Sequence, residues 1–302
     1  MRIAMLGLGD IAQKAYLPLV ASHPQITPLL CTRNTETLRR LQAQYRINEV
    51  YSDVAELLAS HPDVVMIHSS TDSHFKLAQQ FLTAGIPVFI DKPISYHYAE
   101  CEQLVNLAVQ KNMPLIMGFN RRFAPLYQHF ADTPAIQIHY QKNRFNLPAK
   151  ARQYIYDDFI HVLDYLRHCA QQMPVNIEVF AHQQAGVLGA LQVQWQHKGC
   201  LYSGMMNRLN GANEERLEYY AHNKKWQIDN LREGQVWENN SCSPLKFDDW
   251  QTTLTKRGFV GMLDDMLLQL DAGSNNANSS QHILDTHRLC EQVVKKVEIK
   301  LL

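Results

Sequence analysis

Ile3-Ala4-Met5-Leu6-Gly7-Leu8-Gly9-Asp10-Ile11-Ala12 is the stretch on which the fold turns. Its four leading apolar residues read as a short buried strand, and the glycines open a helical stretch directly after it. That context makes a Gly-x-Gly-x-x-Ala spacing a dinucleotide fingerprint rather than a chance match. Gly7 permits the tight turn, Gly9 lets the backbone approach a pyrophosphate, and the small Ala12 allows close packing of helix on strand. The helix N-terminus offers free N–H groups and the positive end of its dipole to phosphates. Pro18 lies within this helical stretch and predicts a bend there.

Outward from it, strand and helix signals alternate. Ile26 to Thr32 is a second strand, Glu36 to Tyr45 a helix, Val50-Tyr51 a brief third strand, Val54 to Ser60 a helix, and Val64 to Ile67 a fourth strand. Ser73 to Ala84 reads as a helix ending at Gly85, where positive φ suits a C-terminus. Pro87 to Ile90 is a fifth strand, Tyr98 to Lys111 a helix and Pro114 to Met117 a sixth strand. This is an α/β, doubly wound, Rossmann parallel sheet.

The alternation stops after Gly118-Phe119-Asn120-Arg121-Arg122-Phe123. Ile136 to Gln141, Ile177 to His182 and Leu191 to Gln196 alternate with period two. Cys200 to Met206, Arg216 to His222 and Trp226 to Asp229 look like further strands, several joined by short turns. Helices are predicted from about Asp157 to Ala170, Phe259 to Leu270 and Gln281 to Lys295, with a polar loop over Gly273 to Ser280. The expected organisation is an NADP-binding Rossmann domain over residues 1–119 and a substrate and oligomerisation domain over 120–302, the latter α+β with a large, mostly antiparallel open sheet.

At 302 residues the chain has room for about two domains of ~150 residues each. Lys+Arg and Asp+Glu both total 29, so no net field favours nucleic acid or an anionic membrane. No apolar run approaches the ~18 residues of a membrane helix. Ile3 to Gly9 after Arg2 superficially resembles a short signal sequence, but Asp10 interrupts it, and the reading is a cytoplasmic chain. Cys31, Cys101, Cys169, Cys200, Cys242 and Cys290 lack metal-ligand spacing and read as reduced, small buried hydrophobes.

Three places carry candidate chemistry. Asp91-Lys92-Pro93 ends the fifth strand, where open α/β sheets bind ligands; Pro93 stops the strand and presents Lys92 at the rim. Taken alone, Lys92 reads as a solvated loop lysine. The tip of the second strand, Cys31-Thr32-Arg33-Asn34, lacks the carboxylate that holds a ribose 2′-hydroxyl. Arg33 could pair with a 2′-phosphate, with Thr32 and Asn34 adding hydrogen bonds, which favours NADP(H) over NAD(H) unless Arg33 is simply an exposed loop arginine. Asp157, His161 and Asp164 recur at i, i+4 and i+7 on one helix face, with Phe159, Leu163 and Leu166 opposite. On spacing alone such a stripe is a solvated face.

Together these residues resemble the glucose-fructose oxidoreductase / inositol dehydrogenase / MocA (Gfo/Idh/MocA) family, in its MviM-like branch, over essentially the whole chain. The matching pieces are Gly7 to Ala12 followed by Tyr16-Leu17-Pro18, then Thr71-Asp72-Ser73-His74 after the fourth strand. Asp91-Lys92-Pro93 stands for a Glu-Lys-Pro signature, Gly118 to Phe123 with Pro125 for the domain crossing, and Asp157, His161 and Asp164 for an Asp-x-Gly-x-His-x-x-Asp helix. Asp91 replaces glutamate, Ser70 and Thr71 replace Pro-Asn, and Phe159 replaces a glycine beside the substrate pocket, which it is expected to narrow or reshape. The resemblance implies Lys92, Asp157 and His161 as catalytic residues. It implies cofactor contacts at Gly7, Gly9, Asp10, Ile11, Thr32, Arg33, Asn34, Ser69, Thr71, His74, Asp91 and Lys92. The implied activity is an NAD(P)-dependent oxidoreductase moving a hydride between nicotinamide and a carbinol or carbonyl carbon of a small polyhydroxylated compound. A non-catalytic NADP(H)-binding regulator or sensor of the same fold is the alternative.

The second sheet bears on assembly. Ile136, Ile138, Tyr140, Val179, Leu191, Val193, Trp195, Trp226 and Ile228 are expected to face inward. Gln137, His139, Gln141, Gln192, Gln194, Gln196 and Gln227 are expected to face outward. A glutamine-rich outer face offers little apolar drive, so the expectation is a monomer or weak homodimer.

Overall fold

The computed structural model describes residues 1–299. In chain order the first part runs β1 (Arg2–Leu6), a π-helical turn (Ala12–Tyr16), α1 (Leu17–Ser22), β2 (Thr27–Cys31), α2 (Thr35–Tyr45), β3 (Glu49–Tyr51), α3 (Val54–Ala59), β4 (Val64–Ile67), α4 (Thr71–Thr83), β5 (Val88–Ile90), α5 (Tyr98–Lys111) and β6 (Leu115–Met117). It continues with α6 (Pro125–Gln128), β7 (Gln137–Asn143), α7 (Ala151–Tyr154), a second π-helical turn (Ile155–Phe159), α8 (Ile160–Ala170), β8 (Glu178–Gln184), β9 (Val187–His197), β10 (Cys200–Asn207), β11 (Glu214–Ala221), β12 (Lys224–Asp229), β13 (Glu233–Glu238), β14 (Ser241–Leu245), α9 (Thr253–Lys256), α10 (Phe259–Asp271) and α11 (Ala277–Ile299). Two compact units result: Met1–Gly118 with Met262–Leu284, and Phe119–Gly261 with the chain from Asp285 onward. Residues 262–284, assigned by the sequence reading to the second half, cluster with the first unit. Among the described residues no helix is long and apolar enough to cross a membrane.

The first unit holds the expected parallel sheet, in the order β3-β2-β1-β4-β5-β6. Its central strands read as unbroken apolar runs because helices cover both faces; β4 and β5 are at most 1% exposed throughout. Local chemistry sets the helix ends: Asn34 Oδ1 accepts from Thr37 N and caps α2, Asp53 caps α3, and Gly85 follows α4 at φ 76°. The bend expected from Pro18 takes the form of the π-helical turn just before it, since a proline has no N–H to offer the carbonyl four residues back.

In the second unit eight strands run β14-β13-β12-β11-β7-β10-β9-β8, every pair antiparallel except β7 with β10. The inner face follows the expected alternation except at Ile136, which precedes β7 and is 51% exposed. The outer face is not uniformly polar: Phe180, Leu201 and Met205 are exposed there, each opposite glutamines in the register. Phe180 pairs with Gln192, Met205 with Gln192 and Gln141, and Leu201 with Gln196 and Gln137.

Three readings of the second half are corrected. The β13–β14 hairpin was missed, although Asn239 and Asn240, both at positive φ, are the residues a tight I′ turn selects, and Pro244 suits an edge strand. Ala277 to Ser280 belong to α11 rather than to a loop, because Asn276 Oδ1 accepts from the amides of Asn278 and Ser279 and starts the helix there. Of the six cysteines, all free, Cys31, Cys101, Cys200 and Cys290 are buried as expected, but Cys242 on the edge strand is exposed.

The helical run from Ala151 to Ala170 is not an amphipathic surface helix. From Ile160 to Arg167 every residue is buried. Phe159, Val162 and Leu166 reach the one glycine of β10: a Cβ on Gly204 would lie 2.8 Å from Val162, 3.0 Å from Leu166 and 3.5 Å from the Phe159 ring. On the stripe itself Asp164 is 2% exposed and accepts two hydrogen bonds from the Arg122 fork and one, of 2.8 Å, from Thr286, which in turn accepts from Arg167 Nε at 3.1 Å. Burial works against the charged carboxylate, but the Arg122 guanidinium and its hydrogen bonds outweigh this and hold Asp164 below its ordinary pKa. A depressed carboxylate contributes stability above the ordinary carboxylate range and loses it as pH falls through the folded value. Asp164→Asn should therefore cost about 3 kcal/mol at pH 7, and urea unfolding repeated at falling pH should show the gap from wild type closing; a gap independent of pH would contradict this role.

Candidate functional site

At the carboxyl edge of the parallel sheet the tips of β1, β4, β5 and β6 are tied in a row. His68 N donates to Leu6 O (2.8 Å), Asp91 N to Ile67 O (3.0 Å) and Gly118 N to Ile90 O (3.0 Å), while Gly7 N donates to Cys31 O of β2 (2.9 Å). The order of the strands reverses between β1 and β4, the crevice where such sheets take ligands. Gly7 has no substitute there: its φ is 90°, and a Cβ would lie 2.5 Å from Ser69 N. Gly9 differs, since a Cβ there would meet nothing within 4 Å, leaving open space beside the turn. Ala12 is fully buried, as its packing role requires. The turn is braced by Gln13, whose amide nitrogen donates to Leu8 O at 2.6 Å. These are the features a dinucleotide pyrophosphate needs, and the residues present fit that group.

The other predicted cofactor residues behave unequally. Asp10 is exposed and paired with Lys14 at 2.7 Å on the surface, and Ile11 is exposed beside it. Arg33 is exposed at the end of β2; Thr32 Oγ1 accepts from Asn34 N (3.3 Å), and the Asn34 carbonyl is committed to capping α2. A second arginine, missed in the sequence, stands near the glycine turn: Arg40 donates to Gln13 Oε1 at 2.6 Å. Ser69 Oγ lies 2.6 Å from Ser73 Oγ, and Thr71 begins α4. His74 is buried, with Nε2 2.9 Å from Ser69 O and Nδ1 2.8 Å from Pro93 O. Both ring nitrogens are thus engaged by backbone, which gives this side chain the task of joining two loops.

One of those loops carries Lys92, which is half-buried, with a cis peptide to Pro93. Asp91 Oδ1 accepts from Lys92 N (2.9 Å) and from Tyr16 OH (3.2 Å). Burial raises the Asp91 pKa, opposed by the charge of Lys92. Gly118 leaves room for this pair, since a Cβ on it would lie 2.8 Å from Tyr16 OH and 3.2 Å from Asp91 Oδ1.

Within the second unit, Asp157 lies half-buried in the π-helical turn Ile155–Phe159, and His161 is 8% exposed in α8. π-Helical turns mark functional positions often enough to make this one notable. Phe159 closes the same turn. Its ring is fully buried and reaches Gly204 in the sheet, so it packs the helix onto β10. Asn120 and Tyr156 are structural: Asn120 Nδ2 donates to Arg257 O (2.8 Å) and the Tyr156 hydroxyl to Glu291 (3.0 Å).

Comparison with known proteins agrees with this architecture. Residues 1–119 match the family described as "Oxidoreductase family, NAD-binding Rossmann fold", and residues 122–239 match "YceM-like, C-terminal domain". A protein of Salmonella typhimurium named "Putative oxidoreductase YceM" is 31% identical over 267 residues, 86% of each chain. A Gfo/Idh/MocA family oxidoreductase from Vibrio cholerae superposes with a TM-score of 0.96 at 36% identity, covering 100% of this chain and 99% of that one. A dehydrogenase (MviM) from Clostridium difficile gives 0.92 at 25% identity, covering 98% and 99%. With the glycine turn, the lysine loop and both sheets accounted for along its whole length, the chain belongs to the Gfo/Idh/MocA family of oxidoreductases.

Proposed function

We propose that the protein is an NADP(H)-dependent oxidoreductase that interconverts a carbinol and a carbonyl on a small polyhydroxylated compound, a sugar or sugar derivative. The observation that carries this reading is the row of ties along the sheet edge, which sets the glycine turn, the loop after β4 and the Lys92 loop side by side on one rigid element. The bound nicotinamide would accept or donate the hydride. Gly7, Gly9, Asp10 and Ile11 receive the pyrophosphate on backbone N–H groups; Thr32, Arg33 and Asn34 receive the adenosine end; Ser69, Thr71, Asp91 and Lys92 border the nicotinamide end, with His74 holding their loops. His161 takes the hydroxyl proton in the oxidative direction and returns it in reduction. Lys92 donates to the same oxygen and stabilises it as alkoxide character develops. Asp157, one turn before His161, orients substrate hydroxyls.

The cofactor preference is supported by the tip of β2, where positions 32–34 hold no carboxylate and Arg33 stands exposed, with Arg40 a further cation beside the glycine turn. NADPH should bind more tightly than NADH, and Arg33→Ala should lower NADPH affinity by roughly tenfold to a hundredfold while leaving NADH nearly unchanged. Calorimetric titration of both cofactors checks this; equal or tighter NADH binding to the wild type would sink it.

For the chemistry, Lys92→Ala and His161→Ala should each lower turnover by about two orders of magnitude or more, with NADPH affinity within a few-fold of wild type. Steady-state assays on a substrate accepted by the wild-type protein are decisive, and unchanged turnover in both variants would remove these residues from the mechanism. A protein that binds NADPH but turns over nothing across sugars, sugar acids and deoxy-oxo sugars would be the sensor instead.

A monomer, or a dimer dissociating at about micromolar concentration, is the assembly supported by an outer sheet face on which each exposed apolar side chain is flanked by glutamines. Light scattering should return a mass near 34.8 kDa; a doubled mass independent of concentration is the opposing result.

A further inference from the structure

Positive charge is in excess at one place inside the second unit. Lys142 at the end of β7, 3% exposed, bonds to Asp158, which also accepts from Arg144 at 2.6 and 2.9 Å and lies 3.7 Å from Arg208. Beside them Glu215 receives the Arg121 fork at 2.7 and 2.9 Å and the Tyr140 hydroxyl. Arg257 is half-buried in the same field, its pKa lowered by burial first and then by the charge of Arg121. Five cations therefore lie around two carboxylates, the buried Asp158 and the largely buried Glu215; Glu214, at the exposed rim, is occupied by Asn143 and Asn210 at 2.8 and 3.1 Å. Arg208 is 6% exposed, and its Nε, like that of Arg257, is buried without a hydrogen-bond acceptor. Burial, followed by the Arg121 charge, pushes Lys142 down to about 7, as expected where cations outnumber their partners.

An unmatched buried cation is costly, and uncompensated buried charge clusters at functional sites, where a ligand can supply the missing partner. Asp158 is also the neighbour in sequence of Asp157, which the proposed mechanism sets against substrate hydroxyls. We infer that Arg144, Arg208 and Lys142 form a subsite for an anionic substituent of the substrate, a carboxylate or a phosphate ester, so that the compound processed is a sugar acid or sugar phosphate rather than a neutral polyol. The word substrate here rests on the oxidoreductase reading; the anion site itself does not.

Calorimetry and thermal shift at constant ionic strength, with D-gluconate, D-glucose 6-phosphate, inorganic phosphate and D-glucose as probes and no cofactor present, test it directly. At least one of the two anionic sugars should bind about tenfold or more tighter than D-glucose, and the stronger of the two assigns carboxylate or phosphate. Inorganic phosphate alone matching D-glucose 6-phosphate would mean that only a free ion is bound and would overturn the substrate assignment. Arg144→Gln, at the more exposed rim, should lose about tenfold in affinity for the anionic sugar. Asp158→Asn should raise that affinity even while it lowers thermal stability, a result that a purely structural cluster would not give. No anion of the panel binding, D-glucose binding equally well, or both variants leaving anion affinity unchanged would overturn the inference. NADPH titrated into the same proteins keeps the two readings apart: loss of NADPH binding by the wild type refutes the cofactor assignment without touching the anion result, and the variants should bind NADPH as the wild type does.

Discussion

His74 holds the cofactor side of the first unit in one arrangement. Its ring is buried between two backbone carbonyls, Ser69 O at 2.9 Å and Pro93 O at 2.8 Å, so the loop after β4 and the loop after β5 cannot shift independently. Everything assigned to the nicotinamide end lies on those two loops or, in the case of Thr71, at the first position of α4. The same region tolerates no extra atoms at Gly7, whose missing Cβ lets β1 pass within van der Waals distance of the Ser69 amide, or at Gly118, whose missing Cβ makes room for Tyr16 and Asp91. A loop lysine is ordinarily mobile and solvated. Here the backbone on both sides of Lys92 is fixed, by the Asp91 carboxylate accepting from its own N–H and by the carbonyl of Pro93, and that preorganisation is what turns a cation at a strand tip into a catalytic candidate.

In the second unit the comparable constraint is charge. Consecutive acids in the helical run take different work: Asp158 points into the sheet and is surrounded by Lys142, Arg144 and Arg208, while Asp157 stays half-buried. Asp158 is held well below the ordinary carboxylate range, since the charges of Lys142 and Arg144 and their hydrogen bonds outweigh the effect of burial. Together with the Arg122 to Asp164 pair one turn after His161, these contacts pin the helix at two levels, before and after the proposed acid/base. A histidine between two such anchors stands on a fixed stretch of backbone, which suits the acid/base role proposed for it.

What was legible in the sequence follows from the range of the interactions involved. The parallel sheet could be read because its central strands are contiguous apolar runs and the helices between them end on local signals such as Asn34, Asp53 and Gly85. The stripe Asp157, His161, Asp164 could be found by its spacing, but its environment could not: spacing favoured water, whereas Asp164 is paired with residues 42 positions before and 122 positions after it. The same holds for Phe159, whose destination was decided by a glycine on β10 that no local pattern connects to it. Arg121 and Arg122 have no role that the local pattern reveals, yet each ends on a different carboxylate, Glu215 and Asp164. The β13–β14 hairpin and the start of α11 are misses that local chemistry could have prevented, through two adjacent asparagines in the one and the Asn276 cap in the other.

Overall neutrality and local excess are compatible, and their combination limits the kind of ligand involved. With Lys+Arg and Asp+Glu equal at 29, the molecule has no net field to draw in a polyanion from a distance. Exposed charges are screened beyond about 8 Å at physiological ionic strength, so a cluster walled in by protein is felt only by what has already arrived. Such a cluster acts at contact, where low polarisability strengthens each interaction and geometry decides between ligands. The anion site inferred here therefore suits a single carboxylate or phosphate on a small molecule better than a polyanion, whose recognition needs cations spread along an exposed surface.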